Sequence, residues 1–518
     1  MGRLLSKRDF LKLLVLLPPS VYLSGPFQNP EKLLQSPDGR NVIVIVFDTL
    51  SAKNISLHGY PRETMPHLAR IAERGTVYHN HYAGGNWTTP GTASLLTGTY
   101  PWTHRAFNDE IRTVLKDRES NNIFNLFERY YRIGYSHNSN LYKFFEQFSP
   151  DLDHIEERRE LFIKNILSLD GLFPRDNDIA PISWDRMVNE GEKRYTYSLF
   201  FAPFYERYSQ HIVDGLRDDF PRGIPQTGED DYFLLEDGID WLLSQVSTLQ
   251  HPFLGYFHFL PPHRPYHTRR EFVNAFSDDG VGHYMEKPRQ PFFQGDPESE
   301  VNLGYQSAQR QFYDEFILYA DSELGRLHDS MEREGMLENT WIIFTSDHGE
   351  MCERGIYGHR TPFLYEPVIR IPLVILEPGQ RERRDIYTPT SAVDVLPTLL
   401  KITGQEIPNW IEGEVLPPFS GAAPRADRSI YALEATNSET MGPLNPASVM
   451  LVKGKYKLTY YFGYKQLEER GPLFELYDLE NDPEELNNIF DANSKISQEL
   501  RDEILEKIKE VDKPYLKG

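Results

Sequence analysis

The segment NVIVIVFD, residues 41–48, decides the fold of this chain. Five of the seven residues before Asp48 are β-branched, from Val42 to Val46, and no charged residue interrupts them. Such a continuous run is typical of a strand buried on both faces, as in a parallel sheet covered by helices. Asp48 therefore falls at the carboxyl end of the strand, where open α/β sheets place their functional sites.

Two later segments repeat this pattern of an apolar strand followed by polar residues. HPFLGYFHFL, residues 251–260, leads into Pro261-Pro262-His263, and WIIFT, residues 341–345, leads into Ser346-Asp347-His348-Gly349-Glu350. Between them, the segment 312–335 has apolar side chains at the spacing of an amphipathic helix: Phe316, Tyr319, Ala320, Leu324 and Leu327. Helix, strand and polar loop in this order indicate a sheet with crossover helices.

The rest of the chain divides around this predicted core. Residues 25–40 contain Gly-Pro, Asn-Pro and Pro-Asp-Gly and are typical of a linker. A main domain is predicted over 41–404, with a helical, polar and aromatic insertion at about 150–245 that caps the site or lines a substrate channel. Short strands and a final helix over 405–518 predict a smaller α+β subdomain.

Charge and cysteine content exclude some classes of function. The 518 residues include 77 acidic and 55 basic ones, for a net charge of -22, and such a surface repels nucleic acid. An anionic substrate therefore needs a local source of positive charge, which a metal ion supplies. The single cysteine, Cys352, excludes a disulfide within the chain.

The N-terminus has the pattern of an export segment. The basic stretch Ser6–Lys12 precedes an apolar run, residues 13–23, and resembles a twin-arginine signal with Lys7 in place of the first arginine. The run is short for a membrane span and is broken by Pro18 and Pro19. We therefore interpret residues 1–24 as an export signal or an N-terminal membrane anchor, and expect the protein in the periplasm, at the cell surface or outside the cell. The alternative is a short surface helix that begins with basic residues.

Polar groups at the ends of the predicted strands suggest a metal site. Asp48 follows one strand, and Asp347 and His348 follow another. Carboxylate and imidazole ligands that converge from different strands suit a divalent cation, and an adjacent Asp-His pair can supply two ligands to one ion.

A hydroxyl group is predicted near these ligands. The segment NWTTPGTASLLTG, residues 86–98, has the pattern of a turn that leads into a helix. A hydroxyl at a helix N-terminus lies at the positive end of the helix dipole, where an anion is favoured. The alternative is that Thr88 or Thr89 is only the N-cap of this helix.

Taken together, these segments resemble the sulfatase family of the alkaline-phosphatase superfamily over nearly the whole chain after the N-terminal segment. The matching segments are residues 42–48, 65–75, 88–98, 339–350, 364–373, 394–404 and 475–485. The resemblance implies an alkaline-phosphatase-like α/β sandwich with a mostly parallel central sheet flanked by helices, plus a smaller C-terminal α+β subdomain. It also implies Asp48, Thr88, Asp347 and His348 as metal ligands.

Three positions depart from the family pattern. Thr88 stands where sulfatases carry the cysteine or serine that becomes formylglycine, and the methyl group on its Cβ prevents oxidation to an aldehyde. Thr92 replaces the arginine of the same motif, and Thr49 replaces the second aspartate of the usual pair. These changes resemble the phosphate-ester branches of the superfamily, in which a threonine is the direct nucleophile.

The resemblance also implies which side chains contact the substrate. His263 and His359 fall where the family keeps basic groups that contact the substrate, and His359 stands where many sulfatases have a lysine. Each is a candidate to bind a nonbridging oxygen or to protonate the leaving oxygen. His137 is a further candidate for a substrate contact.

The sequence thus predicts a metal-dependent hydrolase or transferase that cleaves phosphate or sulfate esters through Thr88, with phosphoesters favoured. One divalent ion is expected; mixed ligation by Asp, Thr and His suits manganese or zinc, and the resemblance also allows calcium. The expected partner is an anionic ester, with a glycan or a lipid head group as candidates. Two alternatives remain. The first is a sulfuric ester hydrolase that works without formylglycine, through threonine or metal-activated water. The second is a non-catalytic binding protein on the same scaffold, and the retained metal ligands argue against it.

The export hypothesis predicts that replacing Lys7 and Arg8 by Gln strands the protein in the cytoplasm, because the signal loses its basic pair. Cell fractionation of the two forms measures this. Unchanged fractionation would remove the twin-arginine interpretation, and N-terminal sequencing of the wild-type protein separates a cleaved signal from a retained anchor.

Overall fold

The computed structural model describes residues 39–108, 111–164, 197–227, 231–277, 279–281, 287–288, 303–423, 425 and 427–516. The predicted export segment 1–24 and most of the predicted linker lie outside the described residues, as does the part 165–196 of the predicted insertion. Among the described helices, none combines the length and the apolar character that a membrane crossing requires.

The central feature is an eight-stranded sheet in which five of the seven strand pairings are parallel. In chain order its strands are β1 (Asn41–Phe47), β2 (Thr76–Tyr78), β4 (Tyr131–Ser136), β5 (His154–Ile155), β8 (Phe253–Phe259), β9 (Thr340–Thr345), β12 (Leu373–Leu376) and β13 (Arg384–Ile386). Their order in the sheet is β13-β2-β12-β9-β1-β8-β4-β5. The remaining short strands are β3 (His81–Tyr82), β6 (Phe162–Lys164), β7 (Tyr232–Phe233), β10 (Cys352–Glu353), β11 (Ile356–Tyr357) and β14 (Thr390–Ser391).

Helices cover both faces of this sheet. The described helices of the chain are α1 (Pro66–Ala72), α2 (Thr88–Thr97), α3 (Pro101–His104), α4 (Ile123–Leu126), α5 (Ser139–Gln147), α6 (Tyr197–Leu216), α7 (Leu235–Val246), α8 (Leu303–Arg333), α9 (Glu366–Ile369), α10 (Val395–Ile402) and α11 (Lys495–Asp512). The helix predicted over 312–335 is present as α8 and begins nine residues earlier than predicted, at Leu303.

The two faces of β1 explain why its sequence is apolar throughout. Ile43, Ile45 and Phe47 belong to one core cluster, which includes the predicted apolar face of α8. Val42, Val44 and Val46 belong to a second cluster, with side chains from α2 and α10. Because alternate side chains of a strand point to opposite faces, a strand between two helical layers needs apolar residues at every position. The predicted α/β fold class, with its mostly parallel sheet, is confirmed.

The C-terminal region forms a second, antiparallel sheet. Its strands are β15 (Ser429–Glu434), β16 (Ala447–Lys453), β17 (Tyr456–Phe462) and β18 (Leu473–Asp478), each paired with the next along the chain. The final helix α11 packs Leu500 and Ile504 into the core cluster of this sheet. The smaller C-terminal α+β subdomain is therefore present, whereas the exact domain boundaries drawn from the sequence stay predictions.

A buried ion cluster links this sheet to the segment that follows the polar loop after β9. The Nζ atom of Lys457, on β17, lies 3.2 Å from Glu366 Oε1 and 2.7 Å from Glu485 Oε1. The side chain of Lys457 is 0% exposed, and those of the two glutamates are 3% and 2% exposed. Removal of one member of such a cluster leaves a buried charge without a partner.

Lys457→Met is therefore expected to lower the free energy of unfolding by about 3 to 5 kcal/mol, since two buried carboxylates lose their cation. Urea denaturation measures the change. Lys507→Met is the matched control, because the Lys507–Glu510 pair lies at the surface, with side chains 29% and 67% exposed, and contributes at most about 1 kcal/mol. Equal denaturation midpoints for the two variants would contradict the role of the cluster.

Candidate active site

The site forms where the neighbouring parallel strands β1 and β9 end. Val46 pairs with Thr345, so Asp48 and Asp347 leave the sheet side by side at its carboxyl edge. Two hydrogen bonds join the loops beyond the strands: Leu50 N donates to Ser346 Oγ at 2.9 Å, and Thr49 N donates to Asp347 Oδ1 at 3.3 Å. The sheet register thus fixes the two carboxylates relative to each other.

The loop after β9 orients the imidazole of His348. Its Nδ1 lies 2.9 Å from the carbonyl oxygen of Gly349, so Nδ1 carries the proton and donates it. The other nitrogen, Nε2, lies 3.5 Å from Asp48 Oδ1 and 3.5 Å from Asp347 Oδ2. A backbone carbonyl that fixes the tautomer in this way is the usual support of a metal-binding histidine.

Thr88 reaches the same point from helix α2. It is the first residue of the helix, and its Oγ1 lies 3.5 Å from His348 Nε2. The N-cap is Trp87, so the expected alternative that Thr88 or Thr89 only caps the helix is wrong. Helix α2 approaches the loop after β9 closely, because a Cβ at Gly91 would lie 2.2 Å from the Asp347 carbonyl oxygen.

Asn138 completes the surroundings of Thr88 and was missed from the sequence. Its Nδ2 donates to Asp48 Oδ2 and lies 3.4 Å from Thr88 Oγ1. Its Oδ1 accepts a hydrogen bond from Asn140 N at 2.7 Å as the N-cap of α5, which fixes the orientation of the amide. Asn138 follows β4 as Asp48 follows β1, but it lies in an ordinary helix-capping sequence that gives no sign of this role.

His258 is the second residue that sequence reasoning missed. It lies on β8, with Nε2 3.4 Å from Asp48 Oδ2 and 3.8 Å from Asp347 Oδ2, and it is fully buried. The sequence does contain a feature that could have indicated this role, because His258 is a histidine inside the apolar run of its strand. A buried histidine in such a run needs a polar partner, and the neighbouring strand β1 ends in one.

The buried charges of this cluster fit a bound cation. Asp48 Oδ1 and Asp347 Oδ2 are buried and have no hydrogen-bond partner among the described residues. One ligand atom from each of Asp48, Asp347 and His348 lies within 4.8 Å of the others. Oxygen and imidazole nitrogen atoms in this arrangement suit a divalent ion, so the residues present fit the metal that the sequence predicts.

Burial shifts the pKa values of the cluster in opposite directions. Burial and the adjacent Asp48 raise the pKa of Asp347 well above its usual range. Burial also acts to raise the pKa of Asp48, but the imidazoles of His258, His263 and His348 outweigh it and hold that pKa below its usual range. Burial and His359 lower the pKa of His348 to about 3, which keeps the imidazole neutral, as a metal ligand must be.

Beyond the cluster lies a cavity of about 950 Å³. Thr88, Asn138, His263 and His359 line it, so the structure brings the two predicted substrate-contacting histidines to the same space as Thr88. The rings of His263 and His359 are 5.4 Å apart, and the ring of His348 is 4.4 Å from that of His359. His359 Nδ1 lies 3.1 Å from Glu350 Oε1, a buried carboxylate that orients the ring.

Two residues singled out in the sequence do not reach this space. His137 is not at the cavity: its ring stacks 4.1 Å from Phe233 and packs on Phe259, so the expected substrate contact is wrong, and the next residue, Asn138, faces the site instead. The hydroxyl of Thr49 donates to the Asp48 carbonyl oxygen at 2.6 Å, and φ at Thr49 is +62°. Thr49 thus shapes the turn after β1.

Comparison with known proteins decides the family. The family model described as Sulfatase matches residues 40–405, and the model described as N-sulphoglucosamine sulphohydrolase, C-terminal, matches residues 352–513. The chain belongs to the sulfatase family. Its members and relatives are ester-cleaving hydrolases, and this sulfatase-family protein is an enzyme of that class.

Relatives of this sulfatase-family protein cover most of its length. A choline-sulfatase of Rhizobium meliloti is 26% identical over 472 residues, which are 87% of this chain and 82% of the relative. Among solved structures, a phosphonate monoester hydrolase of Agrobacterium radiobacter aligns with a TM-score of 0.62 at 18% identity, over 92% of this chain and 96% of that one. A 2-O GAG sulfatase aligns with a TM-score of 0.64 at 17% identity, over 92% and 94%. These structures confirm the alkaline-phosphatase-like fold.

The cluster predicts a loss of bound metal when a ligand is removed. Asp48→Asn, Asp347→Asn and His348→Ala are each expected to lose metal and activity while the protein stays folded, because each removes a ligand atom from the same point. Metal analysis of the purified proteins and circular dichroism measure the two properties. His137→Phe is the control, since this ring packs among aromatic rings. Full metal occupancy in all three ligand variants would show that the ligands are wrongly assigned.

Proposed function

We propose that this protein hydrolyses anionic esters through Thr88 as a covalent nucleophile, with phosphate and phosphonate esters preferred over sulfate esters. The observation that carries this proposal is the position of Thr88 Oγ1. It lies 3.5 Å from His348 Nε2 and 3.4 Å from Asn138 Nδ2, next to two buried carboxylates and at the wall of the cavity.

The first step is attack by the Thr88 oxygen on phosphorus, in line with the leaving oxygen. A bond forms between Oγ1 and phosphorus, the hydroxyl proton of Thr88 passes to water in the cavity, and the bond from phosphorus to the alcohol oxygen breaks. Asp48, Asp347 and His348 would hold the metal ion, which supplies positive charge that favours the ionised hydroxyl and balances the charge of the ester group. The amide of Asn138 holds Thr88 and Asp48 in their relative positions.

The two cavity histidines complete the chemistry. His359 is held by Glu350 through Nδ1, so the doubly protonated ring can give its Nε2 proton to the leaving alcohol oxygen. His263 Nδ1 donates to the Arg264 carbonyl oxygen at 2.6 Å, which leaves its Nε2 as an acceptor for the water that resolves the covalent intermediate. Attack by that water releases the acid and restores the Thr88 hydroxyl.

The residue at position 88 favours phosphorus over sulfur. A threonine cannot form the aldehyde that sulfatases use, and the solved structure of the phosphonate monoester hydrolase has the same fold. The choline-sulfatase relative favours the second candidate function, a sulfuric ester hydrolase that acts through the same threonine. The donor set of two carboxylates and an imidazole is consistent with manganese or zinc, and we propose one such ion per chain. Export by the N-terminal segment belongs to the same proposal.

Thr88→Ala is expected to lower turnover by about a thousandfold or more, because removal of a covalent nucleophile costs at least this much. Thr88→Ser should keep part of the activity, since the oxygen remains and only the methyl group that restricts its rotamer is lost. The measurement is a panel of phosphomonoesters, phosphodiesters, phosphonate esters and sulfate esters, each assayed with manganese, zinc and calcium.

Thr89→Ala is the matched control, because Thr89 is the adjacent buried threonine in the same helical turn, and its effect should be mild. Mass spectrometry after trapping with a slow substrate should place the adduct on Thr88. Near-normal turnover of Thr88→Ala would rule out covalent catalysis and favour water as the nucleophile. Faster cleavage of sulfate than of phosphate esters would support the second candidate function.

A further inference from the structure

Arg264 is one of three arginines of the described chain that line the cavity, with Arg222 and Arg360. It follows His263 directly, is half-buried and lines the cavity. Within the described part of the chain, its guanidinium forms neither a salt bridge nor a hydrogen bond, and the buried Glu350 carboxylate interacts with it only at longer range. By contrast, Arg222 on the same wall pairs with Glu315 and stacks on the ring of Phe312.

An arginine with these surroundings is unusual in so acidic a protein. The chain has 77 acidic residues for 55 basic ones, so carboxylates that could pair with an arginine are abundant. Arginine is the side chain best suited to bind carboxylate, sulfate or phosphate through two parallel hydrogen bonds. A half-buried guanidinium that lines the cavity and has no direct contact with a protein carboxylate among the described residues is therefore available for an anion from the substrate.

The contacts of Arg264 hold its guanidinium in place without neutralising it. Its Cζ lies 5.3 Å from the ring centroid of Tyr357. The backbone at Gly358 also passes close by, because a Cβ at this residue would lie 3.5 Å from Nη1. An aromatic face attracts the cation but offers no acceptor for its N–H groups.

The cavity is larger than the reacting group alone requires. A volume of about 950 Å³ is at the upper end of the range for sites that enclose a whole small molecule, far more than one phosphate or sulfate group fills. In the proposed reaction, Thr88, His263 and His359 engage the reacting group. The same cavity wall includes Arg264 and Tyr357, so the alcohol part of the ester has room beside them.

We propose that Arg264 binds a second anionic group on the alcohol part of the substrate, so that the natural substrate is an ester with at least two acidic groups. This inference rests on the proposed ester hydrolysis and adds the substrate class to it. The second group is a carboxylate, sulfate or phosphate, which share the planar or forked arrangement of oxygen atoms that a guanidinium binds.

Matched substrate pairs test this inference. The pairs are 3- and 4-carboxyphenyl phosphate against the corresponding carbamoylphenyl phosphates, together with the same four sulfate esters. In Arg264→Gln, the ratio of kcat/KM for the carboxylate over the carboxamide should fall about tenfold or more from its wild-type value, since a charge-assisted hydrogen bond is lost. Because the same kcat/KM ratio is compared between Arg264→Gln and the wild type, the difference in intrinsic reactivity of the two leaving groups cancels.

Two control variants sharpen the test. Arg264→Lys keeps the positive charge but lacks the paired N–H donors of the guanidinium, so it should give an intermediate ratio. Arg217→Gln removes one positive charge from a side chain that is 70% exposed and paired with Asp214, so its ratio should equal that of the wild type. An unchanged ratio in Arg264→Gln would overturn the inference. An equal loss for both members of each pair would also overturn it, by showing that Arg264 binds the reacting ester group itself.

A binding measurement keeps the two proposals separate. Calorimetric titration of Thr88→Ala with the same pairs reports the preference for the carboxylate without turnover, and Thr88→Ala with Arg264→Gln should lose that preference. If no ester is cleaved by the wild type but the preference is present, the proposed hydrolysis fails and the second anion site stands. If esters are cleaved through Thr88 and neither measurement shows a preference for the carboxylate, the proposed hydrolysis stands and the second anion site fails.

Discussion

The repulsion between two buried carboxylates is the constraint on which the rest of this structure depends. Parallel pairing of β1 with β9 places Asp48 beside Asp347, with ligand atoms within 4.8 Å and both side chains fully buried. At an effective dielectric constant of about 20, two negative charges at this distance repel by roughly 3 to 4 kcal/mol. Two features reduce this repulsion. The pKa of Asp347 is raised, and the imidazoles of His258 and His348 lie beside the two carboxylates. A divalent cation would remove the repulsion, so the same arrangement that costs stability creates affinity for metal.

Every other group of the site is brought to this pair by a separate element. Helix α2 supplies Thr88, the loop after β4 supplies Asn138, strand β8 supplies His258, and the segment after β11 supplies His359. Since β4, β8, β1 and β9 are neighbours in the sheet, two of these contributions, Asn138 and His258, follow from strand order. The approach of α2 depends on Gly91, where a side chain would overlap the Asp347 backbone. The positions of the reacting atoms are therefore set by backbone packing, which holds a site more firmly than flexible loops do.

The sequence predicts the features that depend on residues close together in the chain. It does not predict the contacts between residues that are far apart in the chain. The run 41–48 predicts its strand and the place of Asp48 because both faces of β1 must be apolar. The apolar face of α8 was predicted for the same reason, although its start was placed nine residues late because the first turns, from Leu303 onward, lack the strict periodicity. The contact of Asn138 with Asp48 joins residues 90 positions apart and depends on the pairing of β4 with β8, which no local pattern encodes. His137 and Asn138 are adjacent, and only the bend after β4 decides which of them faces the site.

The departures from the family pattern form a consistent set when their charges are considered together. Compared with the residue pattern of the sulfatase family, Thr92 and His359 replace an arginine and a lysine near the reacting group, and Thr49 replaces an aspartate. The site thus loses two fixed cations and one anion, and the Thr92 hydroxyl is left buried without a partner among the described residues. Three arginines of the described chain, Arg222, Arg264 and Arg360, remain on the cavity wall. Under the two proposals, the metal and the histidines act on the ester group and Arg264 binds the alcohol part of the substrate, so that selection of the alcohol adds to the preference for phosphorus.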